Sequence, residues 1–103
     1  VAQHFPGRRP KAVMFNLGYR PGGDRAFATR PVTTLPALAA ALDIVLPGGI
    51  ITIVCYPGHA GGKDEQDAVL AWARAIPSVR ATVVLYQFWN AVNAPCLLAV
   101  TPK

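Results

Sequence analysis

Apolar residues gather into four short runs, separated by glycine- and proline-rich turns and by two stretches with helical spacing. Lys11-Ala-Val-Met-Phe15 is the first run and predicts a buried parallel strand. Residues 20–34, with Pro21, Gly22, Gly23 and Pro31 among several threonines, read as a long loop of the kind that often carries function. Leu35, Leu38, Leu42 and Val45 then recur at helical spacing, with Thr34 as cap, Pro36 in the first turn and Pro47-Gly48-Gly49 as the stop. Ile50 to Tyr56, rich in β-branched residues, predicts a second buried strand. After the loop Pro57-Gly58-His59-Ala60-Gly61-Gly62, a second helix opens on Asp64, Glu65 and Asp67, acids suited to the positive end of a helix dipole. Val69, Trp72, Ala73 and Ile76 form its apolar face, and Pro77 ends it. Ala81 to Phe88 and Cys96 to Val100 are the third and fourth strands. Residues 89–95 join them without a helix, so this pair is expected to be an antiparallel hairpin. The alternation of strand and helix predicts an α/β fold: a parallel sheet closed by an antiparallel edge.

The chain has 103 residues, 52% of them apolar, enough for one small domain with a modest core. Its apolar runs are far too short to span a bilayer, and no membrane partner is expected. The first residues lack the layout of a signal peptide and also lack Met, which reads as a processed or truncated start; a cytoplasmic location is the simplest expectation. Cys55 and Cys96 sit within apolar runs and are expected to be buried free thiols, and nothing has the CxxC spacing of a zinc site. The formal charge of +5 is uneven: residues 1–30 hold six basic residues and one acid, whereas the remaining 73 are balanced. That basic cluster can meet a phosphate backbone, or it can be an ordinary solvated surface.

The block Phe15-Asn-Leu-Gly-Tyr-Arg-Pro-Gly-Gly-Asp24 follows the first strand directly. A strand ending in Asn, Gly and an aromatic makes a tight turn at the carboxyl edge of the sheet, where open α/β sheets bind ligands. There the amide of Asn16 can accept hydrogen bonds from an amine, and the ring of Tyr19 can stack on a flat base. On the residues alone, Asn16 is equally a loop-capping turn residue and Tyr19 a half-buried loop aromatic.

A final antiparallel hairpin on a parallel sheet, together with Leu46-Pro-Gly-Gly-Ile50, resembles the second half of class I S-adenosylmethionine-dependent methyltransferases. Three further segments narrow the resemblance. They are Phe15 to Asp24, then Thr29-Arg-Pro-Val-Thr-Thr34 with Ala37-Leu38, then Tyr56 to Gly62 with Glu65. In this order, and with Tyr86-x-Phe88-x-Asn90 near the end, they are similar to the small rRNA methylase family. That family is understood to methylate the amine of 5-aminomethyl-(2-thio)uridine at the tRNA wobble position. The resemblance runs from about residue 12 to the end and implies the C-terminal half of a Rossmann-like methyltransferase, with residues 1–103 a single partial domain. The glycine-rich turn that such enzymes use for the cofactor has no counterpart in the chain, so the cofactor-binding N-terminal half is expected to lie outside it.

The resemblance also implies roles. The Asn16 side-chain oxygen and the Leu17 carbonyl would accept hydrogen bonds from the target amine and also border the bound S-adenosylmethionine as cofactor-binding residues, and Tyr19 would stack on the uracil. His59 would relay the released proton, contact a phosphate or fill the loop. Gly18, Gly22, Gly23, Asp24, Thr29, Thr33, Tyr56, Gly58, Gly61, Gly62, Phe88 and Asn90 would surround the substrate. The implied partners are the tRNA anticodon loop, the missing half of the same protein and, through an unpaired sheet edge, a second copy of the chain. Two other readings stand beside this one: a non-catalytic RNA-binding module, and a methyltransferase acting on a protein or small-molecule amine.

Overall fold

In the computed structural model, the described residues are 9–17, 31–57, 62–92 and 94–103. They form β1 (Ala12–Leu17), α1 (Pro31–Ile44), β2 (Ile50–Cys55), α2 (Gly62–Arg74), β3 (Ala81–Gln87) and β4 (Cys96–Pro102). The sheet order is β1-β2-β4-β3. β1 and β2 are parallel, and β4 is antiparallel to both β2 and β3. Three strands therefore point one way, and only the last is reversed, as the sequence predicts.

Because β1, β2 and β3 step across the sheet in one direction, right-handed crossovers place α1 and α2 on the same face. Strand alternation then separates two sets of side chains. Val13, Ile51, Val100 and Val83 form one row on the helix-covered face, and Phe15, Ile53, Leu98 and Leu85 the next. The centre of this face is fully buried and packs with Leu38, Ala41, Leu42 and Val45 of the first helical unit and Val69 and Ala73 of the second. The opposite face carries Met14, Thr52, Ala99 and Val84 in one row, and Asn16, Val54, Leu97 and Tyr86 in another. No helix covers it among the described residues, and Met14 is 78% exposed.

The turn after α1 fixes how the helix returns to the sheet. Leu46-Pro47-Gly48-Gly49 closes with the Gly49 amide donating to the Leu46 carbonyl at 2.8 Å, with Gly48 at φ +82°. Proline second and a positive-φ glycine third are the requirements of a type II turn. A Cβ on Gly49 would lie 2.4 Å from the Lys11 carbonyl oxygen, so β1 and this turn approach too closely for any other residue.

Several sequence expectations need correction. α1 begins at Pro31, so residues 31–34 are helical rather than loop, and Thr34 lies in the first turn instead of capping it. Pro36 is the sixth helical residue and removes one backbone hydrogen bond from the second turn. β1 is not buried on both faces: its outer positions Ala12, Met14 and Asn16 are exposed. α2 ends at Arg74, before Ile76 and Pro77, although Ile76 still packs against the core.

Candidate functional site at the carboxyl edge of the sheet

The carboxyl ends of β1, β2 and β3 and the start of β4 meet at one edge, where Leu17, Cys55, Cys96 and Gln87 form the last row on the covered face. The β1–β2 ladder continues one step beyond: the Tyr56 amide donates to the Leu17 carbonyl at 3.1 Å. That carbonyl, expected to hold the target amine, is thus engaged within the sheet, which occupies one of its two lone pairs. Asn16 is exposed on the open face of the same edge. Its amide is therefore an accessible acceptor at the end of β1.

The described site residues fall into two groups. Tyr56 is half-buried at the end of β2 and Thr33 is exposed on α1, both beside the edge. Gly62, expected to let a ligand approach, is buried as the first residue of α2. Phe88 and Asn90 are exposed at the hairpin turn, and Trp89 between them is 92% exposed. Tyr86, Phe88, Trp89, Pro95 and Leu97 line an open hollow of about 610 Å³ on this side of the sheet. A larger hollow of about 700 Å³, between α2 and β3, is lined by Leu70, Ile76, Val83 and Lys103 and contains no predicted site residue. Gly18, Tyr19, Gly22, Gly23, Asp24, Thr29, Gly58, His59 and Gly61 lie outside the described residues.

Three polar features escape the sequence reading. Glu65, read as a dipole-facing acid, is only 2% exposed, and its Oε2 accepts a 2.7 Å hydrogen bond from the Thr34 hydroxyl, itself 4% exposed. A Glu on the inward phase of α2, level with Val69 four residues on, was the available signal. Cys55 and Cys96 are buried free thiols, as expected, and they are cross-strand partners. The Cys55 S–H and the Gln66 Nε2 amide (3.2 Å) both donate to Cys96 Sγ, and together they pull the Cys96 pKa down to about 6 against the opposing effect of burial. Cys55 shifts upward, chiefly because it supplies that hydrogen bond and then because it is buried.

The described members of the basic cluster lie away from this edge. Arg9 donates from Nε to the Ile44 carbonyl at 2.9 Å, and from Nη2 to the carbonyls of Asp43 (2.8 Å) and Val45 (3.2 Å). It closes the C-terminus of α1, the negative end of that helix, and Arg80 pairs with Asp43 nearby. This end lies a strand length, roughly 17 Å, from the Leu17 edge. Arg9 and Lys11 therefore do not gather around Asn16. Arg8, Arg20, Arg25 and Arg30 lie outside the described residues.

A family model described as "Putative rRNA methylase" matches residues 1–101. The chain is 42% identical over 90 residues to a chloroplastic tRNA (mnm(5)s(2)U34)-methyltransferase of Arabidopsis thaliana, covering 87% of this chain and 33% of that protein. Among solved structures, a "putative rRNA-methylase" of Clostridium thermocellum superposes with a TM-score of 0.86 at 40% identity, covering 92% of this chain and 52% of that one. A "putative methyltransferase" of Streptococcus mutans in complex with SAH gives a TM-score of 0.82 at 35% identity, with the same coverage. The chain thus spans about half the length of these solved relatives and a third of the plant protein.

Proposed function

This chain belongs to the rRNA methylase family, and from that premise we propose that it is the substrate-side half of an S-adenosylmethionine-dependent methyltransferase acting on an amine in RNA. The target we assign is the exocyclic amine of 5-aminomethyl-(2-thio)uridine at the tRNA wobble position. The observation that carries this reading is Asn16: an exposed amide at the carboxyl end of β1, on the open face of the sheet. The name of the plant relative supports the choice of substrate, and the SAH-bound streptococcal structure supports the choice of cofactor.

The residues present fit the acceptor side of such a reaction. S-adenosylmethionine, when bound, supplies an electrophilic methyl group to a neutral amine. An amine nitrogen must then be held with its lone pair free, which requires acceptors for its N–H bonds. The Asn16 side-chain oxygen provides one acceptor, and the remaining lone pair of the Leu17 carbonyl a second. Both are anchored on a strand, so little orientation entropy is lost when the amine binds. The exposed aromatics of the hairpin, Phe88 and Trp89, offer ring faces at the same edge for stacking on unpaired bases. A wobble base lies in a single-stranded loop, where turning it out of the stack costs least. Tyr19 and His59 keep the roles their motifs imply: stacking on the uracil, and taking up the proton that the methylated amine releases.

The test is methyl transfer from S-adenosylmethionine to tRNA carrying 5-aminomethyluridine, with the chain in its full-length context. Asn16→Ala is expected to lower kcat on the order of a hundredfold while leaving the fold intact, because Asn16 is exposed. Equal transfer to a protein or small-molecule amine in place of RNA would contradict the substrate assignment. Tight RNA binding without methyl transfer by the wild type would mark a binding module.

A further inference from the structure

The last rung of the covered face pairs two thiols. Cys55, the final residue of β2, and Cys96, the first of β4, are Cα partners across the antiparallel ladder. Paired residues in such a ladder project to the same face, so both side chains stand on the covered side, 2% and 5% exposed. Cα atoms of antiparallel partners lie about 4.5–5.5 Å apart, inside the roughly 4.4–6.8 Å that a disulfide spans. The sulfurs are already in contact: the Cys55 S–H donates to Cys96 Sγ, and both cysteines are free.

A buried cysteine is often no more than a small apolar side chain. Three observations set this pair apart. The two thiols face one another on one rung, where apolar residues of similar size would pack as well. The Cys55 S–H first, and then the Gln66 amide reaching from α2 at 3.2 Å, favour the thiolate and hold Cys96 below the usual thiol range. Cys96 also has a route to solvent. It lines the open hollow of about 610 Å³ together with Val54, Tyr86 and Leu97, and Cys55 is not among the residues that line it. One sulfur is thus reachable and activated, and the other stands behind it, placed to act as a resolving thiol.

We propose that Cys55 and Cys96 form an oxidation site, a dithiol that a small peroxide converts to a reversible cross-strand disulfide. The Cys96 thiolate attacks one peroxide oxygen, the O–O bond breaks, and hydroxide leaves to give a sulfenic acid. The Cys55 thiol then attacks that sulfur: the S–S bond forms as the S–O bond breaks, and the oxygen departs as water with the Cys55 proton. The proton that Cys96 had released converts the first hydroxide to a second water. Two thiols give up two electrons in all, and one peroxide accepts them. Cys55 is also the β1 partner of Leu17, so the new bond ties β4 to the rung that ends beside Asn16. The neutral disulfide sulfur no longer draws the Gln66 amide as a thiolate does.

The test exposes the protein, in its full-length context and without denaturant, to a small molar excess of hydrogen peroxide. Remaining thiols are then blocked with iodoacetamide and the peptides mapped by mass spectrometry. The free-thiol signals of Cys55 and Cys96 are expected to be lost together. In their place appears one linked pair of peptides, lighter than the sum of the two by two hydrogens, and a dithiol reductant returns both free thiols. In Cys55→Ser, Cys96 has no resolving partner and is expected to run on to the sulfinic acid. In Cys96→Ser, Cys55 is expected to stay unoxidised under the same exposure. Both thiols remaining free in the wild type would overturn the proposal. So would irreversible oxidation of Cys96 beside a free Cys55, or a link that forms only after denaturation. None of these readouts uses methyl transfer, so the result stands apart from the substrate assignment above.

Discussion

Gly48 and Gly49 are neighbours with different reasons to be glycine. At Gly49 a methyl group would meet the backbone carbonyl oxygens of Lys11 at 2.4 Å and Leu46 at 2.9 Å, neither of which can yield without a shift of the main chain. At Gly48 nothing lies within 4 Å, and only the positive φ penalises a side chain. Gly49→Ala is therefore expected to destabilise by about 2–3 kcal/mol and Gly48→Ala by about 1 kcal/mol, read by denaturant unfolding. The cysteine pair makes a pH prediction. Cys96 titrates near 6 in the folded chain against an ordinary value of 9.0. Between these values the unfolded chain binds more protons, so stability rises with pH across the window and is lost as pH falls through about 6. Thermal melts from pH 5.5 to 8.5 should show this slope in the wild type, and Cys55→Ala, lacking the donating S–H, should flatten it.

At the scale of elements, the strands are legible in the sequence because β-branched runs such as Ile50-Ile-Thr-Ile-Val between glycine and proline turns admit few alternatives. The helix starts are less so. Pro31 and the threonines after it have the composition of a loop, yet proline is well placed at the first position of a helix, where its missing N–H would have no partner in any case. The apolar run of β1 does not show which of its sides is covered: Met14 faces outward, and only pairing with β2 defines the buried face. Of the candidate site, Asn16, Phe88 and Asn90 could be placed at the edge from strand order alone. The Thr34–Glu65 bond and the Cys55–Cys96 pairing could not, because each joins residues at least 30 apart whose register only tertiary packing defines. The two faces of the sheet give a direct contrast. Ile53→Ala, at a fully buried position, is expected to cost about 2–5 kcal/mol, whereas Met14→Ala on the open face should cost under about 0.5 kcal/mol.

For the molecule as a whole, the open face and the family relationship belong together. Met14, Ile50, Val84 and Tyr86 form an apolar surface on the open sheet face of a chain that spans about half the length of the solved relatives. Exposed apolar area of this kind favours association. Residues 1–103 studied alone are expected to self-associate with rising concentration in sedimentation experiments, and Met14→Lys should shift the chain toward monomer. Among the described residues, Arg9 serves the C-terminus of α1 and not the site, so its removal should lower stability while leaving RNA affinity unchanged.

The central claim is that the Asn16 edge presents an RNA amine for methylation, and single-turnover methyl transfer to an anticodon stem-loop tests it most directly. With the chain in its full-length context, the account predicts that the stem-loop bearing 5-aminomethyluridine is methylated on its amine, that an unmodified uridine stem-loop is not, and that Asn16→Ala nearly abolishes the reaction. Methylation of both stem-loops alike, or full activity in Asn16→Ala, would contradict it.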